Sequence, residues 1–273
     1  MAAKSLAILG GGNMGRALVS GLLRGGMRQE HIRVAEVCAD AQATLRRDLG
    51  ISASSDMEAT VADADMVVLA VKPQDAASVL TSLAPLFKQK HPVIVSIAAG
   101  IRIGSLAKWC GAGVPVVRAM PNRAALVGAG VSGLFAPPGV SALAREDAAG
   151  ILRAVGEVVW VPNEDALDVV TALSGSGPAY LFLMAEAMMH AGVNLGLEPE
   201  AARSLAIGTL YGAGLLAQSS DGDLVRLRQD VTSKGGTTEA ALAAFAAADF
   251  TATVMRALEA ATRRSREIAA QFG

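Results

Sequence analysis

The segment Leu6-Ala-Ile-Leu-Gly10-Gly-Gly12-Asn13-Met14-Gly15 sets glycines at G-x-G-x-x-G spacing between an apolar run and a helix-like stretch. Those residue types at that spacing suit phosphate binding. Gly10 permits a tight turn, Gly12 lets a pyrophosphate approach the backbone, and Gly15 lets helix and strand pack closely. The free N–H groups at the helix start, those of Asn13 and Met14 among them, then face the phosphates. The spacing alone is common in glycine-rich turns. Its strand–turn–helix context is what makes it a dinucleotide signal.

Glu36 lies 21 residues beyond Gly15, at the end of the next apolar run. An acid at roughly 20 residues from the motif meets a ribose 2′-hydroxyl. A carboxylate there repels a 2′-phosphate, and Arg46 and Arg47 lie further along the next helix, so the expectation leans to NADH over NADPH. The alternative reading of Glu36 is a solvated strand end. Two further loops follow apolar runs. In Val71-Lys72-Pro73, Pro73 can open a helix because its missing N–H is not needed there. In Ser96-Ile-Ala98-Ala99-Gly100, small residues leave room for a cofactor. Much later, Ser233-Lys234-Gly235-Gly236-Thr237-Thr238 offers successive backbone N–H groups in a glycine turn opening a helix. Such a turn favours an anion, a carboxylate for example. The plainer reading is a glycine linker with a threonine N-cap.

The elements that must position these loops are also legible. Apolar runs at Ser5–Leu9, Ile32–Val37, Met66–Val71, Val93–Ile97, Val114–Ala119, Val131–Phe135 and Val158–Val161 alternate with helix-like segments. Strands this apolar are buried on both faces, and the alternation implies a largely parallel sheet. The expectation is a Rossmann-type, doubly wound α/β domain over residues 1–163. After Val161-Pro162-Asn163 the β-branched runs stop. Ala-rich helical segments follow at 164–173, 178–194, 199–218, 221–229, 236–247 and 250–271, an all-helical domain over residues 164–273. Within it, Gly208-Thr-Leu-Tyr-Gly212-Ala-Gly214 puts small residues on one side of an uncharged helix. So apolar a helix expects burial all round, and a helical domain this small has few internal places for it. A homodimer interlocked through the C-terminal helices, or a higher oligomer, is expected.

Composition narrows the function classes. With 24 basic and 25 acidic residues there is no basic field to hold a nucleic acid. Cys38 and Cys110 form no C-x-x-C pair, which suits a reducing cytoplasm better than a disulfide scaffold. His31, His91 and His190 are too scattered for a metal site. The N-terminus carries no signal-peptide pattern. The uncharged stretch Ser204–Ser220 is shorter than the roughly 20 residues of a membrane span, and it reads as a buried helix.

Five segments together carry a family resemblance: Gly10–Gly15, Ala70-Val-Lys-Pro73, Arg118-Ala-Met-Pro-Asn122, Ser174-Gly-Ser-Gly-Pro-Ala-Tyr180 and Val231-Thr-Ser-Lys-Gly-Gly-Thr-Thr238. On these the chain resembles, from end to end, the pyrroline-5-carboxylate reductase family. The resemblance implies hydride transfer from NAD(P)H to a cyclic imine, giving L-proline, with the substrate bound between a dinucleotide domain and a helical dimerisation domain. It implies that Asn122 joins the cofactor residues. It also implies that the substrate carboxylate meets Ser233 and the backbone of Gly235, Gly236, Thr237 and Thr238. The Thr238 hydroxyl would bond the ring nitrogen and act as the catalytic group. The chain departs from the family at Arg123-Ala124, where Thr-Pro is usual, and at Lys234, where Pro is usual.

The chemistry of the residues is consistent with an imine. Ketone reduction needs a proton donor for the developing alkoxide, and no histidine here sits in a motif. A cyclic imine arrives protonated, so positioning supplies most of what is needed. A reductase of another cyclic imine and a non-catalytic dinucleotide sensor are the alternatives. A β-hydroxy-acid reductase is disfavoured, since no lysine lies between Lys108 and Lys234.

Overall fold

The computed structural model describes residues 4–272, which fall into two compact units. The first takes the chain up to Gly175 together with the residues from Ala261 onward; the second is Ser176–Ala260.

The first unit follows the order β1 (Leu6–Leu9), α1 (Asn13–Arg24), β2 (Ile32–Ala35), α2 (Ala39–Leu49), β3 (Ala53–Ser54), α3 (Met57–Val61), β4 (Met66–Leu69), α4 (Pro73–Lys90), β5 (Val93–Ser96), α5 (Ile103–Cys110), β6 (Val116–Met120), β7 (Gly130–Phe135), α6 (Ala142–Arg153), β8 (Gly156–Trp160) and α7 (Ala166–Val170). Its sheet runs β3-β2-β1-β4-β5-β6-β7-β8. Every neighbouring pair is parallel except β6 with β7. Strand side chains alternate faces, and both faces are covered. Leu6 and Ile8 of β1 join Met66 and Val68 of β4 in a core capped by Leu18 and Leu22 of α1, Leu45 of α2 and Leu152 of α6. Ala7 and Leu9 join Val67 and Leu69 in a second core under Leu80, Leu83 and Phe87 of α4 and Leu106 of α5. Two-sided burial is why these strands read as unbroken apolar runs. Each expected run is a strand. β3 is too short to leave a periodic signal, and the reversal at β7 has no local signature.

The strand order turns back at β1, with β2 and β3 on one side and β4 to β6 on the other. In sheets of this kind ligands bind outside the carboxyl ends of the strands at that point.

After α7 the chain makes a π-helical turn, Thr171–Gly175. The remaining helices are α8 (Gly177–Asn194), α9 (Pro199–Ser219), α10 (Leu224–Asp230), α11 (Thr237–Ala247) and α12 (Phe250–Phe272), the last of which ends in the first unit. Residues 164–175, expected in the helical part, are in contact terms part of the first unit.

The second unit has little core of its own. α8 and α11 bury no residue, and α9, expected to be buried, buries only Ala202 and Ala206. Leu181, Phe182, Leu183, Tyr211 and Leu216 are each 54–68% exposed. The run Ala166–Asn194 is long and apolar enough, by length and composition, to cross a membrane. It is interrupted by the π-helical turn and by Gly177-Pro178. Contiguous apolar surface of this extent marks a face made to be covered.

Phe87 is 1% exposed beneath the sheet. Phe87→Ala is expected to cost about 3–5 kcal/mol through lost burial and the cavity left behind. Chemical denaturation checks this, and a loss below about 1 kcal/mol would contradict the packing described.

Candidate active site

At the switch point three backbone segments meet. Gly10 follows β1 with φ +108° and donates its N–H to the Ala35 carbonyl at 2.8 Å. A β-carbon on it would lie 2.6 Å from the Ala70 oxygen, so only glycine lets the loop after β1 sit against the loop after β4. A β-carbon on Gly15 would lie 2.1 Å from the Gly10 oxygen. Gly12, the N-cap of α1, is different: a β-carbon there would meet nothing within 4 Å. The backbone at Gly12 is therefore open where its neighbours are closed. The first turn of α1 holds no acidic residue, and the N–H groups of Asn13 and Met14 have no intrahelical acceptor. An open, positive helix end of this kind fits a pyrophosphate.

Glu36 is not a solvated strand end. Its carboxylate accepts the Gly11 N–H at 2.7 Å on one oxygen and the Cys38 N–H at 2.8 Å on the other. It ties the end of β2 to the glycine loop. Sequence reasoning passed over Gly11, yet a β-carbon there would fall 2.6 Å from Leu45 and 3.2 Å from the Glu36 β-carbon. A third consecutive glycine inside the motif was the available signal.

The remaining sequence-derived cofactor residues stand at the carboxyl ends of β4, β5 and β6, on the same edge. Val71 precedes Lys72, the exposed N-cap of α4, and Pro73 takes its first turn. Past β5, Ala98 is buried, Ala99 exposed, and Gly100 has φ +78°. Asn122 is buried beyond β6, and its Oδ1 accepts the Val131 N–H at 3.2 Å. Arg123 is exposed at the start of a 3-10 turn, Arg123–Val127.

Beneath this edge lies a charge cluster that sequence reasoning missed. Arg118, buried in β6, donates to Glu164 at 2.8 Å, and the same Glu164 oxygen takes the Ile103 N–H at 2.8 Å. A charge inside the apolar run Val116-Val-Arg-Ala-Met120 was the signal for it. Cys110 is fully buried, which pushes its thiol up to about 12 and leaves it inert. Among the described residues no group of three or more His, Cys, Asp or Glu is arranged to hold a metal.

In the second unit, α10 and α11 are joined by a tight turn. The Gly236 N–H closes onto the Ser233 carbonyl at 3.0 Å, Gly235 has φ +73°, and Gly236 is the N-cap of α11. A β-carbon on Gly236 would lie 2.5 Å from the Ser233 hydroxyl. Thr237 and Thr238 open the helix, with N–H groups that have no intrahelical acceptor. The Gly235 N–H already meets an anion: it donates to the Glu239 carboxylate at 2.6 Å. Thr238 is half-buried; Ser233, Lys234, Gly235 and Thr237 are exposed.

A doubly wound sheet, a glycine loop opening a helix at its switch point, and a carboxylate fixed beyond the second strand define a dinucleotide-dependent oxidoreductase. The chain belongs to the pyrroline-5-carboxylate reductase family. A family model described as pyrroline-5-carboxylate reductase dimerisation matches residues 164–268, and one described as NADP oxidoreductase coenzyme F420-dependent matches residues 5–100. The pyrroline-5-carboxylate reductase of Pseudomonas aeruginosa is 45% identical over 273 residues, covering the whole of both chains. Among solved structures, that of a pyrroline-5-carboxylate reductase from Coxiella burnetii matches with TM-score 0.94 at 38% identity, over 97% of this chain and 98% of that one. The Plasmodium falciparum pyrroline carboxylate reductase, solved with NADP bound, matches with TM-score 0.83 at 29% identity, over 98% and 99%.

Two glycine substitutions separate folding from binding. Gly12→Ala is expected to cost at most about 1 kcal/mol of stability while weakening dinucleotide binding about tenfold or more. Gly15→Ala should destabilise the unit by about 1–3 kcal/mol or more, because the new methyl overlaps backbone. Thermal unfolding alongside fluorescence titration with the reduced dinucleotide checks both. Equal stability losses in the two variants would contradict the assignment.

Proposed function

We propose that this chain reduces L-Δ1-pyrroline-5-carboxylate to L-proline with NAD(P)H, the last step of proline synthesis. The observation that carries the reading is the Ser233–Thr238 turn. Its glycine-fixed backbone already holds a carboxylate, that of Glu239, on the Gly235 N–H. A substrate carboxylate takes the place of Glu239 there, and is held by the Ser233 hydroxyl and the N–H groups of Gly235, Thr237 and Thr238, while Gly236 shapes the turn through its own N–H on the Ser233 carbonyl. The Thr238 hydroxyl bonds the ring nitrogen. The dinucleotide, when bound, supplies the hydride. The protein's residues orient the imine and need not protonate it, which accounts for a site without a histidine.

For the cofactor, Gly12, Asn13, Met14 and Gly15 hold the pyrophosphate, and Val71, Lys72, Pro73, Ala98, Ala99, Gly100 and Asn122 line the remainder. Within NAD(P)H we assign a preference for NADH. The Glu36 carboxylate is held by two N–H groups and cannot swing away from a 2′-phosphate. Like charges about 4 Å apart repel by on the order of 4 kcal/mol at an effective dielectric of about 20. Functionally, residues 1–163 serve the dinucleotide and 164–273 serve dimerisation and substrate. The exposed apolar faces of α8 and α9 support a homodimer formed through these helices.

NADH and NADPH oxidation followed at 340 nm with the imine should show rapid turnover, with the larger kcat/KM for NADH. A tenfold advantage for NADPH would refute the role of Glu36. Thr238→Ala should lower kcat/KM by up to about a hundredfold through lost orientation of the ring nitrogen, with dinucleotide affinity unchanged; unaltered turnover would refute its role. Light scattering at micromolar protein should give at least twice the mass of one chain, and a stable monomer would contradict the helical interface.

A further inference from the structure

The loop from Ile97 to Arg102, between β5 and α5, has only limited support from the sheet. The Ile97 N–H donates to the Leu69 carbonyl at 3.1 Å and the Ala98 N–H to the Ser96 hydroxyl at 3.4 Å. Its far end is held by residues remote in sequence. The Ile103 N–H donates to Glu164, and Arg102 donates to Asp165 at 2.7 Å. That bond raises the guanidinium pKa against the opposing effect of burial, so Arg102 remains a cation.

The outer side of the loop is covered by the last turns of α12. Ser265, Ile268, Ala269 and Phe272 recur at helical spacing and lie on one face of the helix. At Gly100 a β-carbon would fall 2.9 Å from Ile268, 3.4 Å from Phe272 and 3.7 Å from the Ala269 nitrogen, so the helix lies directly on the loop backbone. The Ser265 hydroxyl donates to Asp168 at 2.6 Å. Asp168 is 1% exposed, and its second oxygen has no hydrogen-bond partner; Arg102 lies 3.8 Å from it. A buried carboxylate satisfied on one side only is a poor stabilising device. Its position, between the terminal helix and the loop's own arginine, is that of a spacer.

We propose that the end of α12 is a positioning element for dinucleotide binding: Ile268 and Phe272 press on Gly100, and Ser265 acts through Asp168 on Arg102, so that the loop after β5 keeps its binding shape. The inference rests on the reading of Ala98, Ala99 and Gly100 as part of the dinucleotide edge. Ser265 and Phe272 are positioning residues and touch no reactant.

Ser265→Ala and Phe272→Ala, in the full chain, are to be titrated with the reduced dinucleotide by fluorescence, with melting temperature and the KM of the imine measured alongside. Each should raise the dinucleotide Kd about fivefold, leave the imine KM within about twofold, and remain folded at the assay temperature. Ser265→Thr, which keeps the hydroxyl, should restore the Kd. Folded variants with an unchanged Kd, or a Kd not restored by threonine, would overturn the proposal. Ala99→Phe tests the underlying reading, since Ala99 is exposed and a ring there obstructs only a ligand. If Ala99→Phe binds as the parent does, the loop is not part of the dinucleotide edge and the inference fails with that reading.

Discussion

Where the strand order turns back at β1, several stretches of backbone meet with no room for a side chain between them. Gly10 lies on the Ala70 carbonyl, Gly15 on the carbonyl of Gly10, and Gly11 against Leu45 and Glu36. These approaches set the start of α1 against the ends of β1, β2 and β4. Helices have a positive N-terminus wherever they begin. Here the beginning is pinned at the sheet edge and left open at Gly12, an arrangement that suits a phosphate. The Glu36 carboxylate completes the arrangement by joining the glycine loop to β2 through two backbone N–H groups. The side chain proposed to select the ribose is thus also a structural clamp on the loop.

The chemistry asked of the remaining residues is modest. An imine that carries its own proton needs orientation, an anchor for its carboxylate and exclusion of water more than it needs an acid. In the proposed reading the turn before α11 supplies that anchor with backbone donors, whose strength does not depend on pH. That Glu239 occupies one of those donors shows that a carboxylate fits the geometry. The helices carrying this turn expose most of their apolar residues within a single chain.

Much of this was legible in the sequence because it rests on local patterns. Two-sided burial makes strands into apolar runs, glycine spacing marks the loop before α1, and Pro73 marks a helix start. What was not legible depends on side chains distant in the chain. The reversal of β7 against β6 is decided by packing across the sheet. The role of Gly11 emerges only when Leu45 and Glu36 are folded over it. Asp168 stands out in sequence as a charge within Ala166-Leu-Asp-Val-Val170, but its partner Ser265 is 97 residues away. The burial expected for α9 lay against a second copy, and within one chain most of its apolar residues stay exposed. Hydropathy indicates that a surface will be covered without indicating whether the same chain covers it.

The activity rests on hydride transfer from the nicotinamide to the imine carbon of a carboxylate-bearing ring. It is tested most directly with reduced dinucleotide carrying deuterium at the transferable C4 position. Mass spectrometry of the product should then find one deuterium in L-proline, on the ring carbon that was double-bonded to nitrogen. Proline without deuterium, or deuterium-labelled dinucleotide left unconsumed beside the imine, would contradict the account.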